Sequence, residues 1–293
     1  MEAATLDYRS ESNRICLMDE SEHCIAEVTF PEVAPHVFDI NHTFVDDSLR
    51  GQGIAGALVE RAVHAIREKH GEIRTSCTYA AAWMERYRRK LLDAAVEAFR
   101  RNRYDVSRFA TREEAADYLD GAIDGKRVGF GDSGTLKALK LYERLSAHNT
   151  VIDPAHADRS KGTEEFLRVA RESLQSDIYI LSANAFTAEG QIINMDGAGN
   201  RIAGSLFGHE KTYFVVGVNK LVPDVAAGID RIHNIAAPQN AKRKAKKTPC
   251  AVKGEQCFDC ESPERICNAL VIHYKKMSYR PMELVLIEET LGL

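Results

Sequence analysis

The sequence predicts two α/β domains in tandem, and three observations support this prediction. The chain has 293 residues, about twice the length of a typical single domain. Strand-like segments dominate the first 45 residues, whereas strands and helices alternate in the C-terminal two-thirds. A charged helical stretch at 80–102 separates the two patterns. We therefore expect domains at 1–90 and 91–293.

The first domain is predicted to combine strands with one amphipathic helix. RICLMD and HCIAEVTF flank the polar turn DESEH, a pattern typical of a β-hairpin. HVFDINHTFV and EIRTSCTY read as further strands. Between them, apolar residues keep helical spacing over 52–70, and Gly71 is expected to end that helix.

The second domain is predicted to contain a largely parallel sheet. Helical segments such as LKALKLYERL and EEFLRVARESL lie among short apolar runs: RVGFG, NTVID, SDIYILSA, KTYFVVGV and MELVLIEE. Strands that alternate with helices usually form a parallel sheet covered on both faces. The second domain is therefore expected to be α/β.

Composition excludes several functional classes. Hydrophobic residues make up 44%, charged residues 28%, and the net charge is −4, so neither nucleic acid nor a membrane surface is an expected partner. No apolar run approaches the roughly 20 residues that span a bilayer. The acidic, polar start predicts no signal peptide, and we expect a cytoplasmic protein, with a homodimer as the commonest assembly of such enzymes.

A glycine-rich loop follows the third predicted strand and opens the amphipathic helix. It reads Arg50, Gly51, Gln52, Gly53, Ile54, Ala55, Gly56. Glycines let backbone N–H groups approach an anion closely, and the helix N-terminus adds a favourable dipole, so a pyrophosphate is a natural ligand. The alternative is an ordinary turn between strand and helix.

The wider context of this loop, HTFVDDSLRGQGIAGALVERAVHAIREKHGEIRTSCTY, resembles the GCN5-related N-acetyltransferases over most of residues 15–90. The resemblance implies an α+β domain with a mixed sheet, acetyl-CoA as cofactor, amides of 52–56 on its pyrophosphate, and the acetyl group near 44–46. The motif fixes no catalytic acid or base. Candidates by position alone, each with a structural role as the alternative, are His42, Asp46, Cys77 and Tyr79.

Four of the seven cysteines fall within 18 residues near the C-terminus, at Cys250, Cys257, Cys260 and Cys267. Clustered thiols in a reducing compartment are more often metal ligands than disulfides. Four thiolates suit an iron–sulfur cluster or a structural zinc ion, and the spacing does not choose between them. The alternative is four unligated thiols. The adjoining basic stretch, 240–247, would either offset thiolate charge or form a solvated loop.

Polar segments follow several strands of the second domain. Loops at the carboxyl ends of parallel strands form ligand crevices, although each loop taken singly is equally a turn or a helix cap. The residues expected to line such a crevice are Gly131, Ser133, Thr135, Asn184, Asp196, Gly197, Asn200, Arg201, Asn219 and Lys220.

The segments SANAFTAEGQIINMDGAGNRIAGSLFG and VVGVNKLVPDVAAGIDRIHNIAAPQNAKR, with the cysteine segment, resemble the LUD domain of lactate-utilisation proteins over residues 92–293. The resemblance implies a fold related to the sugar-phosphate isomerase and CoA-transferase group, and iron–sulfur proteins of lactate oxidation as partners. One departure is Asp132, where the family usually has glycine. A carboxylate there is expected to oppose an anionic ligand.

The sequence therefore predicts an N-acetyltransferase acting on an unidentified amine acceptor, fused to a LUD domain linked to lactate or organic-acid utilisation. One alternative is an iron–sulfur or zinc protein of redox or assembly function, in which the first domain only senses acyl-CoA. A third hypothesis is a scaffold with a structural zinc.

Overall fold

A computed structural model describes residues 7–69, 71–253 and 256–293. The chain divides into two compact units, Met1–Lys90 and Leu91–Leu293. Within the described ranges, no helix is long and apolar enough to cross a membrane.

The N-terminal unit is built from short strands around one helix, and a second helix runs on into the next unit. These elements are β1 (Tyr8–Glu11), β2 (Arg14–Met18), β3 (Cys24–Thr29), β4 (Glu32–Ala34), β5 (Val37–Ile40), β6 (His42–Val45), α1 (Ile54–Glu68), β7 (Glu72–Thr75) and α2 (Thr78–Arg101).

Two sheets form this unit, and together they are mixed, as predicted. The first has the order β1-β2-β3-β6 and is antiparallel throughout. The second has the order β4-β5-β7, with β5 and β7 parallel. The hairpin of β2 and β3 is confirmed. Apolar side chains of α1, including Leu58, Ala62 and Ile66, pack into the same core as Ile15 and Val28 of the first sheet.

Two predicted strands differ from the observed ones. The segment HVFDINHTFV forms two strands, β5 and β6, in different sheets. The chain passes from one sheet to the other at Asn41, whose amide donates to the Thr29 carbonyl. EIRTSCTY ends as a strand at Thr75, and α2 starts at Thr78. Cys77 precedes that helix, and its carbonyl accepts the amide of Ala81, which fixes the first helical turn.

The C-terminal unit alternates strands and helices. Its elements are β8 (Asp105–Phe109), α3 (Arg112–Ala122), β9 (Arg127–Phe130), α4 (Gly134–Ala138), α5 (Leu141–Leu145), β10 (Thr150–Ile152), α6 (Gly162–Ser173), β11 (Ile178–Leu181), β12 (Ala185–Thr187), β13 (Ile192–Asp196), α7 (Asn200–Leu206), β14 (Lys211–Gly217), β15 (Leu221–Val222), α8 (Val225–Arg231), α9 (Ala237–Arg243), α10 (Pro249–Lys253), β16 (Ala269–His273) and β17 (Met282–Ile287).

A six-stranded sheet with the order β10-β9-β11-β14-β17-β8 is parallel at every pairing. This confirms the predicted parallel sheet. Its central strands β11 and β17 are buried along their whole length, as expected for strands covered on both faces. Parallel strands end at one edge, so the segments after β9, β10, β11, β14 and β17 share that edge, which we call the carboxyl edge.

Three features of this unit were not predicted. LKALKLYERL is two short helices rather than one, because Lys140 adopts a left-handed conformation with φ of 51°. A second sheet with the order β15-β12-β13-β16 packs polar segments and the cysteine-bearing region next to the parallel sheet. A π-helical turn at Ile232–Ala236 joins α8 and α9.

Candidate functional sites

The glycine loop has the backbone that a close anion contact requires. Gly51 and Gly53 have φ of 78° and 80°, a region that favours glycine. Gly53 is the N-cap of α1 and has no side chain to bond the first amides of that helix, which have no intrahelical partner. A Cβ at either glycine would meet nothing within 4 Å. The backbone at Gly51 and Gly53 is therefore uncovered.

Neighbouring side chains frame this loop. Arg50 forms an exposed ion pair with Asp47 at 2.7 Å. The side-chain amide of Gln52 donates to the Ser48 carbonyl. Ile54 is buried and anchors the start of α1. At the other end, a Cβ on Gly56 would lie 3.2 Å from the Trp83 indole nitrogen and 3.8 Å from the Tyr79 hydroxyl. Tyr79 is thus the one sequence candidate that faces the loop directly.

Two other candidates have structural contacts of their own. The Asp46 carboxylate accepts hydrogen bonds from the hydroxyl and the amide of Ser48 at 2.6 and 2.9 Å, and these bonds lower its pKa. It therefore serves as the cap of the turn before the loop. His42 is exposed on β6, with its Nε2 3.8 Å from Glu27.

The Cys77 thiol has a lowered pKa. Burial raises its pKa, but hydrogen bonds from the Ala80 and Tyr79 amides and from Thr43 outweigh burial, so the net pKa is lowered. Its sulfur lies 3.6 Å from the Thr43 hydroxyl on β6. A thiol at a helix N-terminus is a known route to thiolate character. Cys77 therefore combines acidity with a place beside the strand that precedes the loop.

The four late cysteines are free, half-buried thiols. Cys250 lies in α10, and the other three lie in the irregular segment between α10 and β16. The Cys257 sulfur accepts the Asp259 amide at 3.3 Å, and Thr248 contacts the Cys250 sulfur at 3.2 Å. Burial raises the pKa of Cys267, and the charges of Cys257 and Cys260 add to that rise. The positive charge of Arg265 acts against this rise.

Arg265 holds this segment together by donating to the carbonyl oxygens of Cys260 and Cys267 at 2.7 and 3.0 Å. Its guanidinium also pairs with Asp259 at 2.9 Å. Over residues 7–69, 71–253 and 256–293, no three His, Cys, Asp or Glu side chains are arranged to hold a metal ion. The donor chemistry fits iron–sulfur or zinc, whereas the sulfurs do not form a closed shell.

Asp132 and the basic stretch bind each other. The Asp132 carboxylate pairs with Lys137 at 3.0 Å, Lys244 at 3.2 Å and Arg243 at 3.7 Å. Burial would raise its pKa, but these cations lower it to about 2. The expected repulsion of an anionic ligand is thus offset by three positive charges. Two cations of the basic stretch neutralise this carboxylate.

Lys220, one of the residues expected to line a crevice, is buried between the segments that follow three strands. It follows β14 at the carboxyl edge and is only 3% exposed. Its Nζ donates to the Ser182 hydroxyl at 2.8 Å and to the Thr135 hydroxyl at 2.9 Å. Burial lowers its pKa to about 7, and the charges of Arg231 and Arg201 contribute to the shift. The structure thus brings Thr135 and Lys220 together, as the sequence predicted.

Two arginines extend this positive centre. Arg201 donates to the side-chain oxygen of Asn184 at 3.0 Å, and Arg231 donates to the Asn184 and Asn219 carbonyls. Burial lowers the pKa of Arg231 to about 10. Because these partners are neutral oxygens, the positive charge of the crevice is not cancelled by them. Arg231 was missed from the sequence, since it lies on a helix far from any strand end.

The remaining predicted residues have supporting positions. Ser133 caps α4 by accepting the Thr135 amide, and Asp196 accepts the Arg201 amide. The Gly131 Cα is packed against the Arg201 side chain. The Asn200 carbonyl accepts the Tyr179 hydroxyl. Gly197 lies against Ile266 of the cysteine segment and is not brought into the crevice.

A crevice of about 230 Å³ opens beside Gly131 and Ser133 and contains a histidine–aspartate pair that the sequence did not reveal. His156 Nδ1 lies 2.8 Å from the buried carboxylate of Asp153, and its ring stacks on Tyr142 with centroids 3.6 Å apart. The signal for it was the Asp-Pro-x-His segment directly after β10, which resembled an ordinary helix cap.

The segment after β17 covers Lys220. The Leu291 carbonyl accepts a hydrogen bond from the Thr135 hydroxyl at 3.2 Å, and the Leu291 amide donates to the Asn219 side chain at 3.0 Å. Gly292 has φ of 67°, and a Cβ there would lie 2.7 Å from the Thr135 hydroxyl. Only glycine therefore allows this segment to approach the lysine so closely.

Two family models match the chain. Residues 92–287 match the family model of the LUD domain, so the chain belongs to the LUD domain family. Residues 14–94 match the model described as GCN5-related N-acetyl-transferase, so the N-terminal unit is a GNAT-like domain. A search of curated proteins finds no match.

Solved structures resemble each unit separately. A GCN5-like protein from Staphylococcus aureus, solved by NMR, is 29% identical, with 29% of this chain and 83% of that chain covered and a TM-score of 0.26. A DUF162 family protein from Deinococcus radiodurans is 14% identical, with 68% of this chain and 98% of that chain covered and a TM-score of 0.41.

The lowered pKa of Lys220 predicts a pH-dependent stability. Between its folded pKa of about 7 and its ordinary value of 10.5, unfolding takes up a proton, so stability rises with pH. Relative to Lys220→Met, the unmodified protein should gain about 2 kcal/mol of unfolding free energy from pH 7 to pH 9. Urea titrations of both proteins measure this, because other groups cancel in the difference. If the difference in unfolding free energy between the two proteins did not change with pH, the lowered pKa of Lys220 would be contradicted.

Proposed function

We propose that this protein is an acetyl-CoA-dependent N-acetyltransferase whose second unit binds a small organic acid. The observation that carries the proposal is the open glycine loop at the N-terminus of α1. Its backbone is left-handed at Gly51 and Gly53, and no side chain fills the space above it. Such a loop suits a ligand that carries a diphosphate.

Electrostatics supports the diphosphate assignment. The first amides of α1 carry partial positive charge and point out of the helix. α1 has 15 residues, long enough for a full helix dipole. Binding the diphosphate there directs the thioester end of CoA along β6, toward Phe44 to Asp46.

Catalysis in such a site needs an acceptor amine that has lost its proton. Cys77 supplies a proton acceptor, because its thiol is acidic and its sulfur lies 3.6 Å from Thr43 on that strand. In this proposal the thiolate takes a proton from the acceptor ammonium, and the amine then attacks the thioester carbon. As the carbon–sulfur bond breaks, Tyr79, whose hydroxyl faces Gly56, donates its proton to the departing CoA thiolate and regains one from the nitrogen of the new amide.

The second unit supplies the link to organic acids. Lys220, Arg201 and Arg231 concentrate positive charge at the carboxyl edge, and their side-chain partners are hydroxyl, amide and peptide oxygens. A buried positive centre with neutral partners favours an anionic ligand. Lactate and related small carboxylates, the compounds linked to LUD proteins, have the size and charge for it.

The first prediction tests the loop with an isosteric pair of variants. Gly53→Asp should weaken acetyl-CoA binding by at least about tenfold, because it places a carboxylate against the diphosphate. Gly53→Asn is the matched control, since it has the same shape and tolerates positive φ. Isothermal titration calorimetry with acetyl-CoA measures both affinities.

Equal affinities for these two variants of Gly53 would contradict the loop assignment. Transfer itself is measured as CoA release with a panel of primary amines. Binding without release on any amine would support an acyl-CoA sensor and contradict the transferase.

A second prediction concerns the proton acceptor. Cys77→Ser should lower kcat by about a hundredfold, because a serine hydroxyl is not ionised near neutral pH, and should leave the KM for acetyl-CoA nearly unchanged. Cys24→Ser is the control, since burial raises the pKa of that thiol. The pH–rate profile of the unmodified protein should show an ionisation below the ordinary pKa of a thiol. An unchanged kcat in Cys77→Ser would exclude this role.

The alternative function is that of an iron–sulfur or zinc protein, and the four-cysteine segment favours it. Four cysteines fall within 18 residues, and Arg265 donates to the carbonyls of Cys260 and Cys267. The Asp259 amide donates to the Cys257 sulfur, and hydrogen bonds to ligand sulfurs tune such centres. A bound cluster would supply electron transfer; a zinc ion would supply structural cross-linking.

A third prediction separates these cases. Cys257→Ser should lower the bound metal of anaerobically purified protein by at least about half, because one ligand of a four-thiolate shell is lost. Metal and acid-labile sulfide are quantified together: both are present for an iron–sulfur cluster, and zinc alone for a structural site. Cys24→Ser should retain the full content. Equal metal in all three proteins would refute the site.

A further inference from the structure

Lys220 is built as a reactive amine rather than as a simple counter-ion. It is 3% exposed, and both of its hydrogen-bond partners are hydroxyls, Ser182 and Thr135. A buried lysine that only stabilises the fold is normally paired with a carboxylate, as Lys211 is with Glu283 at 2.7 Å. Lys220 has neutral partners and two cationic neighbours instead.

The surroundings of Lys220 already bind a carbonyl oxygen. The Thr135 hydroxyl donates to the Leu291 carbonyl at 3.2 Å, and the backbone of Gly292 lies against Thr135 and the lysine nitrogen. A small ligand that displaces residues 291–292 would therefore offer its carbonyl group to the Thr135 hydroxyl. The aliphatic stem of Arg201 packs against Gly131, and its guanidinium donates to the Asn184 side chain and to the Met195 carbonyl. A ligand carboxylate would replace these neutral oxygens.

We propose that Lys220 forms a Schiff base with a 2-oxo acid whose carboxylate binds Arg201. This inference rests on the organic-acid site proposed above and deepens it. It names the ligand class, a carboxylate next to a ketone, and the atom that reacts. Burial, which favours the neutral amine, leaves part of the lysine unprotonated at neutral pH.

The reaction needs no external oxidant or reductant. The Nζ lone pair forms a bond to the keto carbon, and the carbonyl π electrons move to its oxygen. A proton passes from nitrogen to that oxygen through the hydroxyls of Ser182 and Thr135. The carbinolamine then loses its hydroxyl with a second proton as water, which leaves the imine.

The test is borohydride trapping on the full-length protein with pyruvate as the probe. Hydride reduces the imine to a stable secondary amine, and peptide mass spectrometry should find the mass of pyruvic acid less one oxygen atom on Lys220. Lys220→Met should give no adduct. Lys126→Met is the matched control and should be labelled at Lys220 as before, because Lys126 pairs with Glu210 before β9, at the opposite edge of the sheet.

A second variant tests the relay without removing the amine. Ser182→Ala should slow adduct formation at least about tenfold while pyruvate binding, followed by calorimetry, changes little. An unchanged rate in Ser182→Ala would remove the relay from the mechanism. Thermal unfolding of each variant shows whether it is folded.

The outcomes distinguish this inference from the proposed function. If pyruvate and L-lactate both bind by calorimetry but no adduct forms on Lys220, the organic-acid site stands and the Schiff base is wrong. If neither acid binds and no adduct forms, both are wrong. Adducts spread over exposed lysines, with none enriched at Lys220, would also overturn the inference.

Discussion

Burial of the Lys220 ammonium is the constraint on which the second unit depends. An isolated charge in a protein interior is costly, and here two hydroxyls, from Thr135 and Ser182, receive its hydrogen bonds. Those hydroxyls follow different strands, β9 and β11, while the lysine follows β14. The three strands must therefore keep their parallel register for the two hydroxyls to accept hydrogen bonds from the lysine. The segment around Leu291 is held by Thr135 and Asn219.

In the N-terminal unit the important groups are the backbone amides at the starts of two helices. Helix α1 exposes its first amides because Gly53 cannot cap them, and positive φ at Gly51 and Gly53 turns the chain away from the space above. The unit leaves polar backbone unsatisfied where a ligand would supply the acceptor. At α2 the first amides meet the Cys77 sulfur instead. One helix start is thus open for a ligand, and the other makes a thiol acidic.

At the carboxyl edge, the negative charge of Asp132 is neutralised by nearby cations. Asp132, which replaces the family's glycine, would weaken an anion site if its charge were free. Lys137, Arg243 and Lys244 surround it, so the positive potential of Lys220, Arg201 and Arg231 is preserved. Arg243 and Lys244 of the basic stretch before the cysteines therefore balance the charge of Asp132. The thiols are organised by Arg265 and by backbone amides.

The sequence by itself determined the two units, the parallel sheet, the loop at 50–56 and the presence of Lys220 and Thr135 at strand ends, because hydrophobic periodicity and glycine placement are local signals. It did not determine what each polar residue contacts. Only the tertiary structure decided four features. These are the helix break at Lys140, the change of sheet at Asn41, the pairing of His156 with Asp153, and the position of Arg231, which comes from a distant helix. These features depend on burial and on contacts between segments far apart in the chain, and no window of sequence contains that information.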